Sequence, residues 1–231
     1  MKRATIVHDQ VNLALIPLIG ALTIAGLVGA IDPAVTTYAF LAYAALDSVW
    51  LILQPDAVPS LPFVILFHHA VTAVLLCVPL AHPHLHWYTC VDGIVELNTM
   101  FLIARRQLPW RAARKMCSWL YWGTFIPMRC ILYPVMVPVF LREMQLVEHA
   151  PWWHTTACVG AQVILCVFNY VLLGLSLMRQ RSKRGPGGAG AKGGKPAKAP
   201  AGSRELRDVQ PELIKAQPAA SNPLRLRARG L

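Results

Sequence analysis

Six stretches of the chain are apolar enough, and long enough, to be membrane-spanning helices: residues 11–31, 34–54, 61–81, 86–104, 116–141 and 153–178. A helix rises about 1.5 Å per residue and the hydrocarbon core of a bilayer is about 30 Å thick, so about 20 apolar residues make one crossing. The breaks between the runs carry turn chemistry: Asp32-Pro33, Pro55-Asp56 with Pro59, then Pro83, Pro109 and Pro151. The first run follows Lys2 and Arg3 as a leader peptide would. At about 21 residues it exceeds the roughly 7–15 of a cleaved leader, and it is expected to remain as a helix. The pattern predicts an all-α, polytopic membrane protein of six helices in residues 1–178.

Polar residues inside these runs recur at helical spacing. Thr89, Asp92, Glu96 and Thr99 share one face of the fourth run; Gln162, Cys166 and Asn169 share one face of the sixth. Tyr43, Asp47, Trp50 and Gln54 do so in the second, Trp122, Phe125, Arg129 and Tyr133 in the fifth, and His69 and Thr72 in the third. A charged side chain at mid-bilayer costs about 2.5–3.5 kcal/mol on insertion scales, so these stripes are expected to face one another or a shared cavity.

Charge orients the runs. All but two of the 22 Lys and Arg residues fall before the first run, between the fourth and fifth, or after the sixth; the exceptions are Arg129 and Arg142. An even number of crossings places these three segments on one side, and basic loops mark the cytoplasmic side, so both termini are expected there. Trp87, Trp152 and Trp153 then belong to the far interface, Trp110 and Trp119 to the near one. Composition agrees: 55% of residues are hydrophobic and 14% charged, against about 25% charged in soluble domains. The formal charge of +11 sits almost wholly beyond residue 178, where 13 Lys and Arg face 3 Asp and Glu. That concentration excludes a nucleic-acid-binding fold. The low-complexity tail, residues 179–231, is expected to be disordered and to meet anionic lipid headgroups or to serve topology and solubility. Six cysteines without a CxxC pair read as reduced packing residues.

Helical rise gives relative depths. Counted from the cytoplasmic end, Asp47, His69, Glu96 and Asn169 lie at about 10–13 Å, and Asp92 and Arg129 at about 18–20 Å. The upper layer has the makings of an active site. Neutral imidazole is a base or nucleophile near pH 7, and a carboxylate on its other nitrogen would orient it. His69 is the expected base or nucleophile, with Glu96 or Asp47 as its partner. Asp92 and Arg129 are expected to form an ion pair. No metal is expected: His82, His84 and His86 lack an acidic or thiol partner, and the adjacent His68 and His69 project about 100° apart, a poor fit to one ion.

Phe67-His68-His69, followed by the segment from Asp92 through Glu96-Leu97-Asn98-Thr99-Met100-Phe101 to Arg105, resembles the TLC-domain family, which includes translocation-associated membrane proteins and ceramide synthases. Thr124–Arg129 with Pro134, and Phe168-Asn169-Tyr170, are similar to later motifs of that family. The likeness spans about residues 36–179 and is nearest to the small TLC-domain-containing branch. It implies helices around a lipid-accessible cavity and residence in the endoplasmic reticulum membrane. In ceramide synthases the paired histidines belong to a site that moves an acyl group from acyl-CoA to a sphingoid amine. Carried over, His68, His69, Asp92 and Glu96 are candidate catalytic residues. Asp47, Asn98, Thr99, Arg129 and Asn169 are candidate substrate-binding residues. Arg105 and Arg106 would meet the phosphates of acyl-CoA, a cosubstrate and not a tightly bound cofactor. Two readings stand side by side: a lipid acyltransferase, and a non-enzymatic lipid-binding protein or regulator of membrane lipid composition. A transporter would call for inverted repeats, and none is present.

Overall fold

The computed structural model describes residues 3–58 and 62–183. Among them the chain is helical throughout. Its elements are α1 (Arg3–Leu27), α2 (Pro33–Leu53), α3 (Pro62–Ala81), α4 (His86–Gly93), α5 (Glu96–Gln107), α6 (Arg111–Phe125), α7 (Tyr133–Gln145) and α8 (Trp152–Lys183). A π-helical segment, Ile126–Leu132, joins α6 to α7, and short 3₁₀ turns follow α2 and α3. Of the tail expected to be disordered from residue 179, residues 179–183 continue α8, and the rest lies outside the described residues.

Five helical stretches are long and apolar enough to cross a bilayer: α1, α2, α3, the continuous rod Arg111–Gln145, and α8 up to Met178. The fourth expected span is divided. α4 ends at Gly93 and α5 begins at Glu96, and the bonds between them are of the tighter i→i+3 kind, from Val95 to Asp92 and from Leu97 to Ile94. Ile94 and Val95 keep right-handed helical dihedrals, so the break is a hitch and not a reversal. Together α4 and α5 lie antiparallel to α1. Asp9 meets Arg106, an added Cβ at Gly20 would touch Leu97, and one at Gly26 would touch Cys90. These contacts step along α1 and back along α5 and α4 at equal pace, so the pair runs the length of α1.

The distribution of polarity is that of a membrane protein. Thr23, Thr36, Thr37, Gln162 and Asn169 are 0% exposed, while Leu46 is 69% and Leu53 74% exposed. In lipid there is no water to satisfy a polar group, so polar side chains turn inward and apolar ones face the tails. The interfacial tryptophans Trp110, Trp119 and Trp152 all point outward, each at least 70% exposed.

Small residues set the spacing of the first helices. A Cβ on Gly26 would sit 2.6 Å from Cys90 Sγ, and one on Gly93 2.6 Å from Phe40 Cε2. Asp32 caps α2 by accepting from Ala34 N at 2.9 Å, with Pro33 at the first helical position. At the opposite end of the bundle Thr5 Oγ1 donates to Asp56 O, tying the start of α1 to the turn after α2. A second core packs Val71, Leu75 and Val78 of α3 with Met136, Phe140 and Met144 of α7 and Leu165 of α8.

Proline shapes the fifth crossing. Pro134 has no N–H for the carbonyl of Cys130, four residues earlier. Tyr170 of α8 supplies the missing donor, its hydroxyl donating to Cys130 O at 2.8 Å. Gln162, also on α8, donates to Tyr133 O at 3.2 Å. The exposed backbone of the π segment is thus closed by side chains of its neighbour.

Two outcomes follow. Gly26→Ala should destabilise the protein by about 1–3 kcal/mol through overpacking, and Cys90→Ala in the same chain should recover most of that loss, read by thermal unfolding in nanodiscs. At the far end His82 Nε2 and His154 Nδ1 share a hydrogen bond of 2.7 Å. Partial burial, then the imidazoles of His154 and His84, hold His82 below the ordinary histidine value, so the folded state favours its neutral form. The link is fully in place above the unfolded value and weakens as pH falls below it, near about 6.5. The melting temperature should therefore decline more steeply below pH 6.5 in the native chain than in His82→Asn.

Candidate functional site

A cleft of about 560 Å³, its open mouth included, lies between α2, α3, α4, α5, α7 and α8. Its polarity is graded along α3. His68 and Thr72 line one part, and Leu75, Leu76 and Pro79 continue the wall toward the far end. The other helices match: Glu96, Asp92 and Tyr133 stand near the polar part, and Leu85 and Phe140 complete the apolar one. Three lining side chains, His68 through Nδ1, Thr72 through Oγ1 and Asp92 through Oδ2, have buried polar atoms without a hydrogen-bond partner. Such atoms are costly to leave unpaired.

The adjacent histidines part company. His68 lines the cleft and stacks on Phe168 of α8, ring centroids 5.0 Å apart and planes 18° from parallel. His69 turns the other way. Its Nδ1 lies 3.6 Å from Asp47 Oδ2 and 3.3 Å from Ser48 Oγ, both on α2. The expected His69–carboxylate pairing is therefore made by Asp47. Glu96 is half-buried on the cleft wall. The histidine that faces the cleft is His68 and not His69: on one helix, adjacent side chains diverge by about 100°.

Asp92 and Arg129 do not pair, contrary to the expectation. Arg129 is 7% exposed and sits at the centre of the π segment. Its Nε donates to Asn98 Oδ1 at 3.1 Å, one terminal nitrogen to Asn169 Oδ1 at 3.0 Å and the other to Thr99 Oγ1 at 2.7 Å. Four of the five side chains expected to bind substrate, all but Asp47, are thus bound together around Arg129. The local cause is Asn98. Its Nδ2 is committed to Tyr121 O at 2.7 Å and Thr124 Oγ1 at 2.9 Å, which leaves only Oδ1 to turn toward the guanidinium. The hitch at Ile94–Val95 separates Asp92 on α4 from Asn98 and Thr99 on α5, and the long arginine side chain reaches the latter pair. Asp92 instead accepts from Gln162 Nε2 at 3.5 Å.

Arg105 and Arg106 are also engaged. Arg105 lies over the ring of Tyr121, 4.4 Å from its centre. Arg106 donates to the buried carboxylate of Asp9 at 2.8 Å, with Gln107 on the other oxygen at 2.7 Å. No group of three His, Cys, Asp or Glu among the described residues is placed to hold a metal. His86 donates to or accepts from Thr37 Oγ1 at 2.8 Å, inside the bundle, and so leaves the neighbourhood of His82 and His84.

Sequence reasoning placed a first helix at residues 11–31 but missed that α1, at Arg3–Leu27, brings polar side chains to this site. His8 Nε2 lies 2.8 Å from Asp47 Oδ1, and Asn12, one turn on, receives the hydroxyl of Tyr43 at 3.2 Å. Both are buried. They precede or barely enter the first apolar run, where polar residues read as interfacial. The i, i+4 spacing of His8 and Asn12 was the signal available.

A family model described as the TLC domain matches residues 35–177. The chain belongs to the TLC-domain family. The matched TLC domain holds α2 through nearly all of α8, and so every cleft residue, while α1 precedes it. No curated protein and no solved structure matches the chain.

Arg129→Met should strand the oxygens of Asn98, Asn169 and Thr99 inside the TLC domain. Each stranded buried group costs about 1–3 kcal/mol, so the variant should unfold well below the native temperature.

Proposed function

We propose that this TLC-domain protein is a lipid acyltransferase, moving an acyl chain from a thioester such as acyl-CoA to the amine of a membrane lipid. The observation that carries the reading is the graded cleft: an apolar stretch that suits a hydrocarbon chain leads to a polar part with a histidine and two carboxylates. A cleft walled mostly by apolar groups with a few placed polar ones is the usual form of a small-molecule site. Asp92 and Glu96 would hold an amine, whose N–H groups answer the unpaired Asp92 oxygen. His68, on the wall, would meet the reacting carbon as base or nucleophile. The reaction forms one C–N bond and breaks one C–S bond. An ammonium gives up two protons, one of which goes to the departing thiolate. Residence in the endoplasmic reticulum with both termini cytoplasmic would give the site access to cytosolic thioester.

A second reading is a lipid-binding protein without turnover. It is favoured by one observation: Arg105 and Arg106, the groups expected to meet CoA phosphates, are already held by Tyr121 and Asp9. Purified protein in nanodiscs, given long-chain acyl-CoA and a panel of lipid amines, should form an amide that vanishes in His68→Ala and falls at least about a hundredfold in Asp92→Asn, in line with the usual worth of acid–base groups. Lipid bound in native mass spectra, with no amide from any acceptor, would select the second reading.

A further inference from the structure

α1 lies outside the matched domain, yet it brings His8 to the carboxylate that faces His69. His8, Asp47 and His69 are each 9% exposed or less, so water does not fill their hydrogen-bonding needs. The hydrogens of this cluster can be assigned. Ser48 Oγ has one hydrogen, and it is given to Ala44 O at 2.6 Å. Ser48 can therefore only accept from His69 Nδ1 at 3.3 Å. Asp47 Oδ2, on the same side of the ring, is an acceptor as well. A neutral His69 thus carries its hydrogen on Nδ1 and its lone pair on Nε2, and no hydrogen bond among the described residues engages Nε2. The same logic puts a hydrogen on His8 Nε2, directed at Asp47 Oδ1. Trp50 packs edge-on against the His8 ring, 5.6 Å between centroids, and keeps it in place.

The two carboxylate oxygens divide the labour. Oδ1 is anchored at 2.8 Å by a residue from another helix, while Oδ2 faces His69 at a looser 3.6 Å. A carboxylate fixed at one oxygen cannot rotate away when the imidazole at the other becomes charged. We propose that His8 is a positioning residue: it anchors Asp47 so that His69 is kept in the Nδ1–H form, ready to take a proton at Nε2 and to be stabilised as imidazolium by Asp47. The proposal rests on the acyl-transfer reading for its purpose. In that reaction the ammonium proton not taken by the departing thiolate would come to His69 Nε2, and the positive charge would rest beside the carboxylate of Asp47.

The test is ¹⁵N NMR of the full chain, labelled at histidine, in nanodiscs, with the His69 signals assigned by their loss in His69→Gln. Native protein is expected to show His69 protonated at Nδ1. His8→Leu and Asp47→Asn should each convert it to a mixture of tautomers, and His8→Gln, whose amide can still donate to Asp47, should restore the native spectrum. A neutral His69 protonated at Nε2 in the native chain, or a His69 spectrum indifferent to His8→Leu, would overturn the proposal. Should His8→Leu not fold, the Asp47→Asn and His8→Gln spectra decide by the same criteria. In the amide-forming assay His8→Leu is expected to lower kcat at least tenfold with KM within twofold, and His8→Gln to recover most of it. An unchanged kcat in folded His8→Leu would also overturn it. No turnover by native protein, with the NMR results as expected, removes the acyl-transfer reading and leaves the positioning of His69 standing.

Discussion

The absence of water from the hydrocarbon core governs this structure. Every polar group that enters must find its partner within the protein, or wait for a ligand to supply one. Most of the buried polar atoms solve the problem internally and at close range. Asn98 shows how: its two amide hydrogens go to Tyr121 and Thr124, so its oxygen has one direction left, toward Arg129. The guanidinium, with donors on three nitrogens, then draws in Thr99 and Asn169. One fixed amide thereby joins α5, α6, the π segment and α8.

The same constraint explains the irregular rod from α6 to α7. Proline leaves carbonyls without donors, and in lipid this is tolerated only where another helix provides them. Tyr170 does so from α8 for the carbonyl of Cys130. Placing Arg129 in the widened segment carries its head into the bundle, away from the tails. The irregularity and the buried charge are two sides of one solution.

Against that background the cleft stands out. Among the described residues a few buried polar atoms remain without partners, and three of them, on His68, Thr72 and Asp92, line one space. Elsewhere in the bundle, pairing is used to hold helices together. Here it is withheld, at a cost in stability, beside an apolar channel. The two neighbouring clusters play different parts: Arg129 and its amides knit the helices, and His8, Asp47 and His69 form a second polar cluster behind the wall.

Much of this was legible in the amino-acid sequence. Long apolar runs and turn-forming breaks define an all-helical membrane protein, because the bilayer imposes a length. The stripes Thr89–Asp92–Glu96 and Gln162–Cys166–Asn169 announced which faces turn inward, since helical periodicity is a local property. Pairing is not local. Whether Arg129 would meet Asp92 or Asn98 depended on a hitch at Ile94–Val95 and a π segment, neither of which has a periodic signature. Which of two adjacent histidines faces the cleft depended on the rotation of α3 among its neighbours. The part played by α1 was hidden for the same reason: His8 and Asn12 look like interfacial residues until the fold sets Asp47 against them.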